Sequence, residues 1–243
     1  MNTCRLCLQE RELRVSHIIP KWLVKHCRDG EDYKNKFKYL SSKEIKFPPQ
    51  DGPKEKLMCH DCEQKIGRFE KYFRNFFIGR KDIEIHIVDN GLIEIKNYRY
   101  KEIRLFILSI LWRLSVSSDK NFSVNLDAHN QEILRKMLLG ENPGLPSEFP
   151  FYTILVRIDG KIDSKIIMNP IELEHPQNSV ALYISGILFF ISKTQLNSVF
   201  NSFFPPDTMS EKRWLGSIKK LFDIPILYEK YKSTLGEEGH DNS

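Results

Sequence analysis

The sequence predicts an α+β chain in two parts, an N-terminal cysteine-containing domain over residues 1–80 and a mixed α+β domain over residues 81–243. All five cysteines lie within the first 62 residues. Residues 1–80 contain 18 Lys and Arg against 11 Asp and Glu, a net charge of +7, whereas the remainder contains 19 against 21, a net charge of −2. Beyond residue 80, strand patterns of period two alternate with apolar and amphipathic helix patterns, which is typical of an α+β domain.

Composition and cysteine usage exclude several classes of protein. With 41% hydrophobic and 28% charged residues, the 243-residue chain can bury a core and is not disordered. An odd number of cysteines, partly in C-x-x-C pairs, does not fit a secreted disulfide framework. The polar first ten residues lack the apolar core of a signal peptide, and the apolar runs over 105–116 and 180–191 are shorter than a membrane span. We therefore expect a cytoplasmic protein.

In the N-terminal part, residues 4–7 predict a tight turn, which is followed by a short strand ending near Val15. Pro20 is placed to open a helix over residues 21–27, since proline is favoured at the first helical position. Residues 28–56 are rich in lysine and predict a loop or short hairpin. Apolar residues at helical spacing predict a helix over residues 62–77.

The C-terminal part contains six strand patterns and four helix patterns. The strands are predicted over residues 83–88, 92–98, 151–158, 165–168, 180–185 and 187–192, and the last two form an apolar hairpin. The helices are predicted over residues 101–116, 127–139, 211–222 and 225–233. Asp127 is the expected N-cap of its helix and Gly140 the expected stop. The tail, from about residue 234 to residue 243, is expected to be disordered.

Two C-x-x-C pairs, Cys4 with Cys7 and Cys59 with Cys62, are the strongest functional signal. Four thiolates form the closed tetrahedral ligand set that structural zinc prefers. The 51 residues between the pairs are too many for a simple zinc ribbon, and they suit a treble clef, in which a knuckle and a helix meet across an inserted hairpin. Cys27 is left over and is interpreted as a small buried hydrophobic residue.

Residues 16–21 read SHIIPK and residues 58–64 read MCHDCEQ. Together with the first C-x-x-C pair, these motifs resemble the zinc-stapled form of the HNH (ββα-metal) endonuclease family, and most closely a bacterial group with S-H-I-I-P-K and C-x-x-C-E-Q motifs. The resemblance covers about the first 75 residues. It implies a treble-clef HNH-like domain that hydrolyses DNA phosphodiester bonds with a divalent metal ion, in a setting such as defence against foreign DNA.

The resemblance assigns roles to individual residues. It implies that His17 is the general base that takes a proton from the attacking water. Glu63 stands where the family has its last histidine, and a carboxylate there could hold catalytic Mg²⁺ or Mn²⁺. Asp51 is a second candidate ligand of that ion.

Two positions depart from the family pattern and leave two functions open. Ser16 stands where many members have a metal-binding Asp or His, and Lys54 lies near the position of the middle Asn. These departures favour a catalytically degenerate zinc module that binds nucleic acid or a partner protein. Retention of His17 and Glu63 favours an active endonuclease.

Basic residues surround the candidate site and predict contacts with the phosphate backbone of nucleic acid, most naturally DNA. The selected residues are Lys21, Lys25, Lys36, Lys38, Lys54, Lys56 and Arg68. The apolar hairpin over residues 180–191 is either core or a surface for a homodimer or a protein partner in the C-terminal domain.

Overall fold

The computed structural model describes residues 2–28, 38–40, 45–46, 52–79, 84–89, 91–158, 160–162, 166–174, 176–195, 209, 214–220, 223–227 and 229. The chain is a mixed α+β protein, as the sequence predicts. Its helices are α1 (Lys21–Arg28), α2 (His60–Phe77), α3 (Tyr100–Val116) and α4 (Ala128–Gly140). Its strands are β1 (Asn2–Thr3), β2 (Glu10–Arg11), β3 (Leu13–His17), β4 (Lys38–Leu40), β5 (Ile45–Lys46), β6 (Lys54–Cys59), β7 (Glu84–Asp89), β8 (Leu92–Lys96), β9 (Phe151–Ile158), β10 (Lys161–Ile162), β11 (Ile166–Met168), β12 (Ile171–Leu173), β13 (Ser179–Ile184), β14 (Ile187–Ser192) and β15 (Trp214–Lys220).

A two-stranded sheet and one helix form the N-terminal unit. β3 pairs with β6 in antiparallel fashion, with Leu13 opposite Cys59 and His17 opposite Lys54. α2 begins at His60, directly after β6, so the second cysteine pair spans the junction between strand and helix. This unit is therefore built as strand, strand and helix, with α1, β4 and β5 inserted between the two strands.

A large mixed sheet contains most of the remaining strands. Within the described ranges it has eleven strands, nine of them in the order β5-β4-β11-β13-β14-β9-β15-β8-β7, with β10 beside β9 and β12 beside β13. β4 pairs with β11 in parallel, which joins residues of the N-terminal part to this sheet. One hydrophobic core contains residues from both sides of the predicted boundary. Within it, the rings of Phe73 on α2 and Phe106 on α3 stack with their centroids 4.1 Å apart. The domain boundary near residue 80 stays a prediction.

α3 lies in the interior, as its apolar composition predicts. It packs against α2 and α4, and its side chains are buried from Tyr100 through Leu114 except those of Lys101 and Glu102. The predicted N-cap of α4 is confirmed, since the Asp127 carboxylate accepts the Asn130 backbone N–H at 2.9 Å. Gly140 is the last helical residue, and the left-handed residue that ends the helix is Glu141, with φ of 53°. Every residue of the β13–β14 hairpin is buried, so this hairpin belongs to the core, and docking of a second protein through the C-terminal part stays a prediction.

The helix predicted over residues 211–222 is wrong. Residues 214–220 form β15, which lies between β9 and β8 in the large sheet. Gly216 and Ser217 are poor helix formers, and strand neighbours on both sides supply hydrogen bonds that outweigh a helical pattern of a few residues. Residues 225–227 and 229 are helical, in agreement with the start of the last predicted helix, whereas its end and the tail over residues 234–243 lie outside the described residues.

Gly216 is required where β15 passes β9. A Cβ added there would lie 2.8 Å from the carbonyl oxygen of Thr153, so the backbone would have to shift. We expect Gly216→Ala to lower the free energy of unfolding by about 1–3 kcal/mol, as overpacking does. Gly67→Ala is the matched control, because a Cβ on α2 at that position meets no atom within 4 Å, and it should raise stability by about 0.5–1 kcal/mol. Urea unfolding of the two variants measures both values. If Gly216→Ala is as stable as Gly67→Ala, the close approach of Gly216 to the Thr153 carbonyl is contradicted.

Candidate functional site

The four cysteines of the two C-x-x-C pairs come together. Cys4 and Cys7 lie in the turn after β1, where the backbone N–H of Leu8 donates to the Cys4 carbonyl at 2.9 Å. Cys59 ends β6 and Cys62 lies in the first turn of α2. One ligand atom from each of the four lies within 4.8 Å of the others. The Sγ atoms of Cys7 and Cys59 are 3.9 Å apart, close to the roughly 3.8 Å between sulfurs that a tetrahedral site with 2.3 Å zinc–sulfur bonds requires. These residues could hold a metal ion such as zinc.

Burial and neighbouring groups act on the pKa of three of the four thiols. Burial raises the pKa of the Cys7 and Cys62 thiols, and neighbouring sulfurs add to the rise at Cys62. Burial also acts on Cys4, but the backbone amides of Cys7, Cys59 and Leu6 outweigh it and lower the Cys4 pKa to about 7. The described cysteines form no disulfide. A divalent cation would compensate the charge of thiolates that burial otherwise disfavours.

A cleft of about 400 Å³ opens beside this cluster, where the end of β3 meets α1, α2 and α3. It is lined by His17, Lys21, Trp22, Lys25, His26, Glu63, Glu70, Arg74, Ile78 and Arg113. Four of these side chains are basic and two are acidic, so the cleft carries a net positive charge. The cleft brings together the two residues to which the sequence assigns catalysis, His17 and Glu63.

Ser16 holds the Glu63 side chain in the cleft. The Ser16 hydroxyl, which is fully buried in β3, donates a hydrogen bond to Oε1 of Glu63. Burial raises the pKa of the Glu63 carboxyl, although the Ser16 hydroxyl and the Arg113 guanidinium oppose the rise. Ser16 therefore orients a carboxylate in the cleft.

Arg113 is a site residue that the sequence analysis missed. It lies on α3 and is only 2% exposed. Its Nη1 donates to the Glu70 carboxylate at 2.6 Å and to the backbone carbonyl of His17 at 2.8 Å. Its Nε donates to the Ser109 carbonyl at 3.2 Å. The only signal in the sequence is an arginine in an otherwise apolar helix.

The predicted nucleic-acid residues are placed differently from one another. Lys21 and Lys25 line the cleft. Lys54 and Lys56 are exposed on β6 and do not line it. Arg68 donates to the Glu141 carboxylate, which also forms ion pairs with Lys65 at 3.3 Å and Lys101 at 3.8 Å. Arg68 does not line the cleft.

Several candidate residues lie elsewhere or outside the described part of the chain. Glu55, a further carboxylate on β6, accepts the backbone N–H of Ser118 at 2.8 Å and does not line the cleft. Asp51 and Lys36 lie outside the described residues, and for Lys38 only the backbone, in β4, is described. Cys27 is buried and lies outside the cysteine cluster, as expected.

Comparison of the chain with protein-family models, with curated proteins and with solved structures gave no match. Among the described helices, none is long and apolar enough to cross a membrane. A functional assignment therefore depends on the chemistry of the cleft and the cysteine cluster.

Proposed function

We propose that the chain is a metal-dependent endonuclease of the HNH type that hydrolyses phosphodiester bonds in DNA. The observation that carries the proposal is that His17 and Glu63 line one basic cleft, at the end of β3 and in the first turn of α2. A strand pair followed directly by a helix is also the framework that the HNH resemblance implies. The four cysteines, in this proposal, hold a structural zinc that joins the turn after β1 to the start of α2.

His17 is the proposed general base. Its Nε2 is buried, so we assign Nδ1 as the atom that accepts a proton from the attacking water. The water oxygen then bonds to phosphorus as the bond to the leaving oxygen breaks. An imidazole suits this step because its ordinary pKa lies near neutral pH. Lys21, Lys25 and Arg74 in the same cleft supply positive charge for the DNA phosphates.

The cleft also offers oxygen ligands of the kind that Mg²⁺ and Mn²⁺ prefer. We assign Glu63 as the ligand from this part of the chain, because Glu70 already forms an ion pair with Arg113. A divalent ion held there would stabilise negative charge on the phosphate. Ser16 fixes the Glu63 carboxylate by its hydrogen bond and does not need to bind the metal itself.

Plasmid cleavage by the purified protein with Mg²⁺ or Mn²⁺ tests this function. We expect the wild type to nick DNA and His17→Ala, at matched zinc content, to lose about 100-fold or more of the rate, since a positioned general base contributes at least that much. His129→Ala is the matched control, because it removes an exposed imidazole from α4 and leaves the cleft unchanged. Equal cleavage by wild type and His17→Ala would refute the assigned base.

A catalytically degenerate module that binds nucleic acid is the second candidate. It is favoured by one observation, that both carboxylates of the cleft are already engaged, Glu63 by Ser16 and Glu70 by Arg113. The same experiment separates the two candidates when DNA binding is measured beside cleavage. The binding module would be established if wild type and His17→Ala bind DNA with equal affinity and neither cleaves it with Mg²⁺ or Mn²⁺.

A further inference from the structure

A second cavity, of about 430 Å³, lies between the end of α2 and one face of the large sheet. Its floor comes from neighbouring strands, with Ile93 on β8, Gly216 on β15, and Thr153 and Leu155 on β9. Side chains two residues apart on a strand share a face, so Thr153 and Leu155 point to the same side of the sheet. Phe77 of α2 contributes to the opposite wall.

Thr153 is a polar residue in this apolar surrounding. It is only 3% exposed, and its Oγ1 has no hydrogen-bond partner among the described residues. A buried hydroxyl without a partner costs about 1–3 kcal/mol, and native proteins rarely leave one unsatisfied. Oγ1 itself has almost no accessible surface, so the Thr153 side chain would have to rotate about χ1 to present the hydroxyl to the cavity, where a ligand with one hydrogen-bonding group would then remove this cost.

The residues that line the cavity indicate the charge and polarity of the ligand. Of the described residues that line it, His26 alone is titratable, and the others are aliphatic, aromatic, glycine or hydroxyl residues. Among these described residues, a charged ligand would find no carboxylate, Lys or Arg to replace its hydration. The volume falls in the range of about 300–1,000 Å³ that is typical of small-molecule sites.

We propose that this cavity is a binding site for a neutral, mostly apolar small molecule whose polar group forms a hydrogen bond with Thr153 Oγ1. The site is separate from the basic cleft, although His26 lines both and its ring contacts Phe77 edge-on at 5.1 Å. A bound molecule would therefore lie against a side chain of the cleft.

Titration with N-phenyl-1-naphthylamine tests the proposal, because this fluorophore is neutral and apolar, carries one N–H donor, and brightens in apolar surroundings. We expect a saturable rise in fluorescence with the full-length wild type. Thr153→Val keeps the shape and removes the hydroxyl, and it should weaken binding about fivefold to tenfold. Leu155→Trp fills the cavity and should abolish the saturable signal.

Two variants on β7 test the same site if Leu155→Trp does not fold. Ile85 lines the cavity at its rim and is 56% exposed, so Ile85→Trp should narrow the entrance without disturbing the core. Val88 is equally exposed on the same strand but does not line the cavity, so Val88→Trp should bind the probe as the wild type does. Absence of saturable binding, or binding that Ile85→Trp and Leu155→Trp leave unchanged, would overturn the site. Unchanged affinity in Thr153→Val would overturn the hydrogen bond.

Discussion

If the four cysteines hold zinc as we propose, its removal by a chelator is expected to unfold the unit built from β1–β3, β6 and the start of α2. The cysteine cluster joins three segments that are far apart in sequence, namely the turn after β1, the end of β6 and the first turn of α2. In zinc-finger peptides the apparent free energy of metal binding is about 10–16 kcal/mol, which exceeds the whole stability of most domains. Metal analysis should find one zinc per chain, and chelation should lower the melting temperature measured by circular dichroism.

Two cysteine variants separate loss of the metal from loss of a thiol. Cys59→Ser removes a ligand and should abolish zinc binding together with the cooperative transition of this unit. Cys27→Ser is the matched control, because Cys27 is equally buried but lies outside the cluster, and it should retain zinc at a cost of about 1–3 kcal/mol. If the protein contains no metal and chelation leaves its melting temperature unchanged, the cluster is a group of reduced thiols and the structural zinc is wrong.

Replacing Arg113 with methionine is expected to cost about 3–5 kcal/mol of stability and to abolish the DNA cleavage that we propose. The guanidinium is buried and contacts the Glu70 carboxylate and the carbonyl of His17, so methionine would leave a carboxylate and a backbone acceptor without their donor. Arg113→Lys keeps the charge but cannot donate in the same fixed directions, and we expect an intermediate loss. Thermal unfolding and plasmid cleavage at a temperature where each variant is folded measure the two effects.

Arg104 provides a matched control on the same helix. It is 1% exposed, and its guanidinium donates to the carbonyls of Pro143 at 2.6 Å and Leu145 at 2.7 Å, away from the cleft. Arg104→Met should therefore destabilise the protein to a comparable extent while the folded fraction retains its cleavage rate. Retention of the full cleavage rate per folded molecule in Arg113→Met, as in Arg104→Met, would show that Arg113 acts only through stability.

Much of the site was accessible to sequence reasoning because its signals are local. Two C-x-x-C pairs indicate four ligands before any fold is known, and the cluster of Cys4, Cys7, Cys59 and Cys62 agrees with that reading. The buried helix α3 followed from continuous apolar residues, and the N-cap Asp127 followed from a side chain that bonds three residues ahead. In each case the determining contacts lie within a few residues, or the residue type itself restricts the chemistry.

Other features could not be predicted because distant segments decide them. The local sequence pattern predicts a helix where β15 forms, because the pairing of β15 with β9 and β8 joins residues about 60 and 120 positions apart. The pairing of β4 with β11 and the ion pair of Arg113 with Glu70 have the same origin. The local partner of Arg113 is Ser109, one helical turn earlier, but its charged partner Glu70 and the carbonyl of His17 come from α2 and β3, so its role emerges only when these elements pack against α3.

Spacing and residue type along the chain were sufficient for the cysteine ligand set, the histidine and carboxylate candidates and most of the helices. The tertiary structure alone decided that Ser16 orients Glu63, that Arg113 links Glu70 to the backbone of His17, and that Lys21 and Lys25 face the cleft whereas Arg68 faces Glu141. The physical reason is that the role of a charged side chain depends on the groups it contacts. Those partners come from other elements, at positions that no local pattern encodes.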